Sequence, residues 1–175
     1  IDFMQVNLRP PGDVVQGRWH SFRLTEDEAR YGVGYGTDRA VWKLEQVVRR
    51  HRRVFVALAR FCAAGHEVCI VRGNHDDELH LEEVQKALRH MLAELLERSG
   101  PAAAPVDFDR AVRFYPWFYY QEGVAYIEHG HQYDATSSFE YFLEPGAAQH
   151  SSSRDLPITA LAARYFANLV PGFPT

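Results

Sequence analysis

An α/β fold is the architecture this sequence predicts, and three stretches predict it. Val41, Leu44, Val48, Phe55, Leu58 and Phe61 recur at helical spacing. A short, β-branched apolar run, Glu67-Val68-Cys69-Ile70-Val71, follows almost at once and reads as a buried strand. A second helical stripe, Leu81, Val84, Leu88, Met91, Leu92 and Leu95, comes next. Helix, strand and helix in alternation are the raw material of a βαβ unit.

Each element has its own local reason. The stretch from Val6 to Tyr35, with Pro10, Pro11 and scattered glycines, reads as a long irregular loop anchored by Trp19, Phe22, Tyr31 and Tyr35. Thr37 or Asp38 offers an N-cap to one amphipathic helix that runs to Ala64 and stops at Gly65. The next helix begins near His80, and Ser99-Gly100-Pro101 ends it. Residues 102–105 are a linker. Val112-Arg113-Phe114-Tyr115 and Trp117-Phe118-Tyr119-Tyr120 are aromatic strand material, broken by Pro116. Gln121-Glu122-Gly123 turns the second of them into a hairpin with Gly123-Val124-Ala125-Tyr126-Ile127. After Pro145 the chain reads as loose until Pro157 opens a last helix, which Pro171-Gly172-Phe173-Pro174 stops.

Composition bounds the function. At 175 residues and 46% hydrophobic content, the chain suits one domain with one core. No apolar run approaches the roughly 18 residues of a membrane span, and no charged-then-apolar start suggests a signal peptide. A net charge of −4 gives no broad attraction for nucleic acid, so no nucleic-acid partner is expected. Cys62 and Cys69 are too few for a disulfide framework or a thiolate zinc site, and both read as buried thiols of a cytoplasmic protein. Arg49-Arg50-His51-Arg52-Arg53 would spread around a helix axis, which reads as a solvated face. Asp77, Glu78, Glu82 and Glu83 read as solvated first turns, favoured by the helix dipole.

Chemistry gathers at two strand ends. Gly73-Asn74-His75-Asp76 follows the first strand, and Glu128-His129-Gly130-His131-Gln132-Tyr133-Asp134 follows the hairpin. Two strand ends, each carrying histidine beside glycine, point to one metal site assembled from separate strands. Asn74 offers a neutral amide oxygen and His129 an imidazole nitrogen. Ordinary turn chemistry competes for the Asn-His-Asp run, and a hydrogen-bonded core histidine competes for His129. His131 stays open between a metal ligand, a group that orders a carboxylate, and a rim residue.

Gly73-Asn74-His75-Asp76 resembles the GNH[D/E] signature of the calcineurin-like metallophosphoesterases. Glu128-His129-Gly130-His131 resembles the block in which a strand-end histidine binds that family's second metal. Ile1-Asp2-Phe3 resembles the tail of its GD-x-[IV]-D-F block, and the stretch from Leu156 to Asn168 resembles a helical insert of a bacterial branch. The resemblance implies an αββα layered sandwich and two divalent ions, Mn, Fe or Zn. It implies Asn74 and His129 as ligands of the second metal, with His131 a further candidate. It leaves His75 to face the phosphate as acid or charge stabiliser, held by Asp76. The implied substrate is a phosphorylated small molecule or a lipid-linked phosphate: a monoester, diester or pyrophosphate.

The departures are specific. The chain has no Asp-x-His, Gly12-Asp13 follows two prolines, and Tyr133 stands where a second histidine belongs. The expectation is an internal segment of a longer enzyme, an incomplete sandwich spanning 1–175. A loop insert at about 6–37 and a helical insert at about 145–175 are its cap candidates. A catalytically inactive binding or scaffold module is the alternative.

Overall fold

The first helical stripe divides before it is complete. The computed structural model describes residues 10, 12–100, 105–143, 156–166 and 169–170. In it α2 (Thr37–Arg50) and α3 (Arg52–Ala63) replace the single expected helix, with the break at His51. One continuous helix would set Arg49 against Arg52 and Arg53, and Arg50 against Arg53, at three- and four-residue spacing. The break separates them and leaves Arg49 and Arg50 on the last turn of α2, where the dipole favours cations. The stop expected at Gly65 is present: Gly65 takes φ +89° and donates to the Cys62 carbonyl at 2.9 Å.

The segment read as a loop carries structure. Strands β1 (Val14–Gln16) and β2 (Ser21–Arg23) form an antiparallel hairpin, and α1 (Glu26–Tyr31) follows. Strands this short give too few alternating positions to be read from sequence. The α1 signal was legible, because Thr25 and Glu28 form a capping box: Glu28 N donates to Thr25 Oγ1 at 3.1 Å, and Thr25 N donates to Glu28 Oε2 at 3.0 Å.

Strand β3 (Val68–Val71) runs parallel to β4 (Val112–Tyr115), joined through α4 (Glu82–Arg98) and the short α5 (Phe108–Ala111). This is a βαβ unit; the half unit expected from the sequence was the preceding helix with β3, and the parallel partner β4 completes a unit on the other side of that strand. The strand is only half-buried, however: Val68 and Ile70 pack on the core while Cys69 and its partner Arg113 are exposed. One covered face restores period-two alternation, so Cys69 is an exposed thiol rather than a buried one, while Cys62 is buried as expected. Beyond the bend at Pro116, β5 (Phe118–Gln121) and β6 (Ala125–Glu128) make the foreseen hairpin, and β5 lies against β3. The described strands form three two-stranded sheets.

The core lies between α2, α3, α4 and the inner face of β3 and β4. Phe55, Leu44, Val84 and Val112 are essentially inaccessible. The last helix, α6 (Ile158–Tyr165), starts after Pro157 as the sequence implied. Ile1-Asp2-Phe3, Pro101 with residues 102–104 of the linker, and the stretch 144–155 lie outside the described residues. Among the described residues, no helix is long and apolar enough to cross a membrane.

One electrostatic anchor joins the first units. Glu28 is buried, and its carboxylate accepts from Arg39 Nε at 2.8 Å and from Gly34 N at 3.0 Å. Burial would raise its pKa, but the Arg39 guanidinium and the amides of Thr25 and Gly34 together hold it at about 2. A depressed folded value contributes stability above the ordinary 4.5 that is lost as the pH falls toward about 2. Glu28→Gln should therefore lower neutral-pH stability by about 1–3 kcal/mol and flatten the loss of stability across that acid window. Urea melts at several pH values measure both effects.

Candidate functional site

The β3–β4 ladder extends one residue past β3, where Arg72 N donates to the Tyr115 carbonyl at 3.1 Å. The chain then turns. Gly73 N donates to Asp76 Oδ1 at 2.6 Å, so Asp76 closes the loop that presents Asn74 and His75. Asn74 is buried, and its Nδ2 donates to Thr159 Oγ1 of α6 at 3.2 Å. That bond turns the amide by its nitrogen and leaves the oxygen as the end suited to a cation. His75 and Asp76 are half-buried.

The two strand-end clusters meet. A Cβ placed on Gly73 would lie 2.7 Å from Cδ2 and Nε2 of the His129 ring and 3.0 Å from Asp76 Oδ1. Only glycine admits the imidazole at that distance. His129 itself is exposed, which removes the core-histidine reading. Gly130 then takes the left-handed conformation, φ +84°, and starts a short turn over His131–Tyr133.

His131 goes inward and is no rim residue. It is 7% exposed, and its ring packs against Phe142 and Phe139 at 4.6 and 5.7 Å. Its Nδ1 stands 3.2 Å from His129 Nδ1, and its buried Nε2 has no hydrogen-bond partner. Burial, reinforced by His129 and Arg72 and opposed by Glu128, pushes its pKa down to about 4. A neutral ring keeps a lone pair for a proton or a metal. Two nitrogens that each lie about 2.0–2.1 Å from a tetrahedral zinc stand roughly 3.3–3.4 Å apart, close to the spacing here. The facing Nδ1 atoms would suit one divalent cation shared by His129 and His131, with the Asn74 oxygen as a third donor. Among the described residues no three His, Cys, Asp or Glu side chains form such a group, so the amide is needed. Gly12-Asp13 opens the β1–β2 hairpin, where Leu24 N donates to the Asp13 carbonyl at 2.8 Å, and Tyr133 is exposed.

The acidic residues after Asp76 overturn their expected role. Asp77 and Glu78 are buried, not solvated. Glu78 pairs with Lys43 of α2 at 3.3 Å, both side chains almost fully enclosed. Asp77 lies 3.7 Å from Arg72, which donates to the Phe142 carbonyl and sits 3.8 Å over that ring. These pairs fasten the loop to the helix layer on one side and to the segment roofing His131 on the other. The signal for Arg72 was present: a cation interrupts an apolar run one residue before the glycine. Nothing in the spacing marked Lys43, which lies on the otherwise apolar α2 stripe.

One cap candidate reaches this place and holds the other. Thr159 of α6 holds Asn74, while Arg164 and Tyr165 of α6 bind Asp27 of α1 at 2.6 and 3.3 Å. Tyr31 and Tyr165 meet edge to face at 4.9 Å.

Lys43→Met should cost about 3–5 kcal/mol, because Glu78 is then buried without its counter-charge, and Lys43→Met with Glu78→Leu should recover most of it. Chemical denaturation of the single and double variants tests this. Gly73→Ala should displace the His129 ring, shift its imidazole NMR signals and lower stability by about 1–3 kcal/mol. Unmoved His129 signals would contradict the close approach. Compared with known proteins, the chain matches no protein-family model, no curated protein and no solved structure.

Proposed function

We propose that this chain carries a metal-assisted phosphoester hydrolysis site of the calcineurin-like type. The observation that supports it most is the His129 ring seated against Gly73, which joins the Gly-Asn-His-Asp turn to the histidine cluster of another strand. On this reading the β3–α4–β4 unit and the β5–β6 hairpin belong to an αββα sandwich, and the exposed and buried free thiols suit a reducing cytoplasm.

Asn74, His129 and His131 would hold a divalent ion such as Mn, Fe or Zn. When bound, such an ion neutralises charge on phosphate oxygens and lowers the pKa of water; a second ion of the same kind would complete the family's pair. The remaining work falls to the chain. His75, half-buried on the loop between Asn74 and Asp76, donates a proton to the leaving oxygen or balances charge on the phosphate. Asp76 fixes the backbone beneath it by accepting from Gly73 N. Asn74 is oriented by Thr159, so α6 couples the site to the α1 side. The substrate is a phosphorylated small molecule or lipid-linked phosphate, selected by those two helices.

A catalytically inactive binding module is the second reading. It is favoured by the absence, among the described residues, of a cluster of three acidic, histidine or cysteine ligands. Assays of the protein that carries this chain, with Mn²⁺ and p-nitrophenyl phosphate, separate the two. His75→Asn should lower turnover by about 10²–10⁴-fold at unchanged metal affinity. His129→Ala should weaken metal binding at least about tenfold. Metal binding with no hydrolysis selects the binding module. Metal affinity unmoved by His129→Ala and His131→Ala rejects both.

A further inference from the structure

At the far end of α4 lies a second feature that the phosphoesterase reading does not use. A groove of about 280 Å³ runs between α2 and α4, closed at one side by the turn that holds Arg18 and Trp19. Its floor is apolar, formed by Val48, Met91 and Leu95, all buried, with Trp19 along the edge. Arg49, Arg52 and Arg98 line its rim. Met91 to Arg98 sits roughly 14–24 Å along the helix from its start beside the catalytic loop, at about 1.5 Å per residue. The groove is therefore separate from the candidate metal centre.

The charges there do not balance internally. Glu94 is taken by Arg18, which grips it with both guanidinium nitrogens, and by His90 at 3.1 Å. Glu45 accepts from Arg18 N at 3.2 Å. A backbone amide leaves the Glu45 charge in place, so four arginines (Arg18, Arg49, Arg52 and Arg98) face two carboxylates (Glu45 and Glu94) in the lining, a surplus of two positive charges. Arg49, Arg52 and Arg98 have no ion-pair partner among the described residues.

Helix electrostatics explains two of these cations and not the third. Arg49 and Arg98 occupy the last turns of α2 and α4, where the dipole favours positive charge. Arg52 opens α3, where the dipole disfavours it, and that helix has neither an acidic residue in its first turn nor a side-chain N-cap. A local rule broken with no compensation among the described residues points to compensation from outside. Three guanidiniums around an apolar floor complement a ligand with an anionic head and an apolar body. The volume is close to the low end of small-molecule sites.

We propose that this groove binds a small, single-chain amphipathic anion. Its phosphate or carboxylate head would lie among Arg49, Arg52 and Arg98, and its apolar body on Val48, Met91 and Leu95 against Trp19. Decylphosphonate, which no phosphoesterase can hydrolyse, is the probe, used below its micelle-forming concentration. By isothermal titration the chain should bind it one to one and at least about tenfold tighter than decanol or inorganic phosphate. Arg52→Gln and Arg98→Gln should each weaken that binding at least about tenfold. Unliganded Arg52→Gln should melt no lower than the parent, since it removes a cation from a helix start, yet lose the rise in Tm that the probe gives the parent. Equal binding of decanol, or unchanged binding by both arginine variants, would overturn the proposal. So would arginine-dependent co-sedimentation with phosphatidylglycerol vesicles and no response to decylphosphonate, which would assign the arginines to a bilayer surface. Metal affinity and phosphoester turnover lie outside this assay, so its failure leaves the other site untouched.

Discussion

Two buried ion pairs hold this structure around one loop. A lysine or arginine withdrawn from water is tolerated only beside a counter-charge. Lys43 reaches Glu78 from α2, and Arg72 reaches Asp77 from the end of β3. Glu78 and Asp77 are neighbours in one tight turn, so helix layer, strand end and loop are tied at a single point. Arg72 passes the constraint on to Phe142 and so to the wall around His131. The position of Asn74 and His75 follows from this lattice more than from the short β3–β4 ladder.

Much of the α/β framework was legible because it rests on periodicity. The α4 stripe, the β5–β6 hairpin and the stop at Gly65 are patterns that local physics enforces. The misses share one cause, which is that burial depends on what covers an element. Val68-Cys69-Ile70-Val71 is apolar enough to be buried on both faces, and only the fold shows that one face of it is open. Asp77 and Glu78 look solvated until Lys43 and Arg72 are placed beside them. The helix break at His51 depends on like-charge crowding that a stripe of apolar positions does not register.

At the candidate site, residue types were readable and roles were not. Asn74, His75, Asp76, His129 and His131 were all marked by their place at strand ends. The inward turn of His131 needed Gly130 in a left-handed conformation and two phenylalanines more than seven residues on. Thr159 was invisible as a partner of Asn74, because a lone hydroxyl far along the chain carries no spacing signal. The joint of α6 with α1 likewise rests on Arg164 and Tyr165 meeting Asp27. One segment was marked as a loop insert and the other as a helical one, with nothing to say that they touch.

The interruption at His51 also bears on how the molecule opens. Hydrogen-bond ladders that do not run through a joint can fray separately, and cooperative units of a fold divide at such places. α2 carries the Lys43 anchor and the Glu28–Arg39 pair, so its amides are tied to two separate parts of the chain. α3 holds to the rest mainly through Phe55, Ala59 and Cys62. The two halves of what looks like one helix are thus held by different parts of the chain, and α2 is the one fastened to the loop that presents Asn74 and His75.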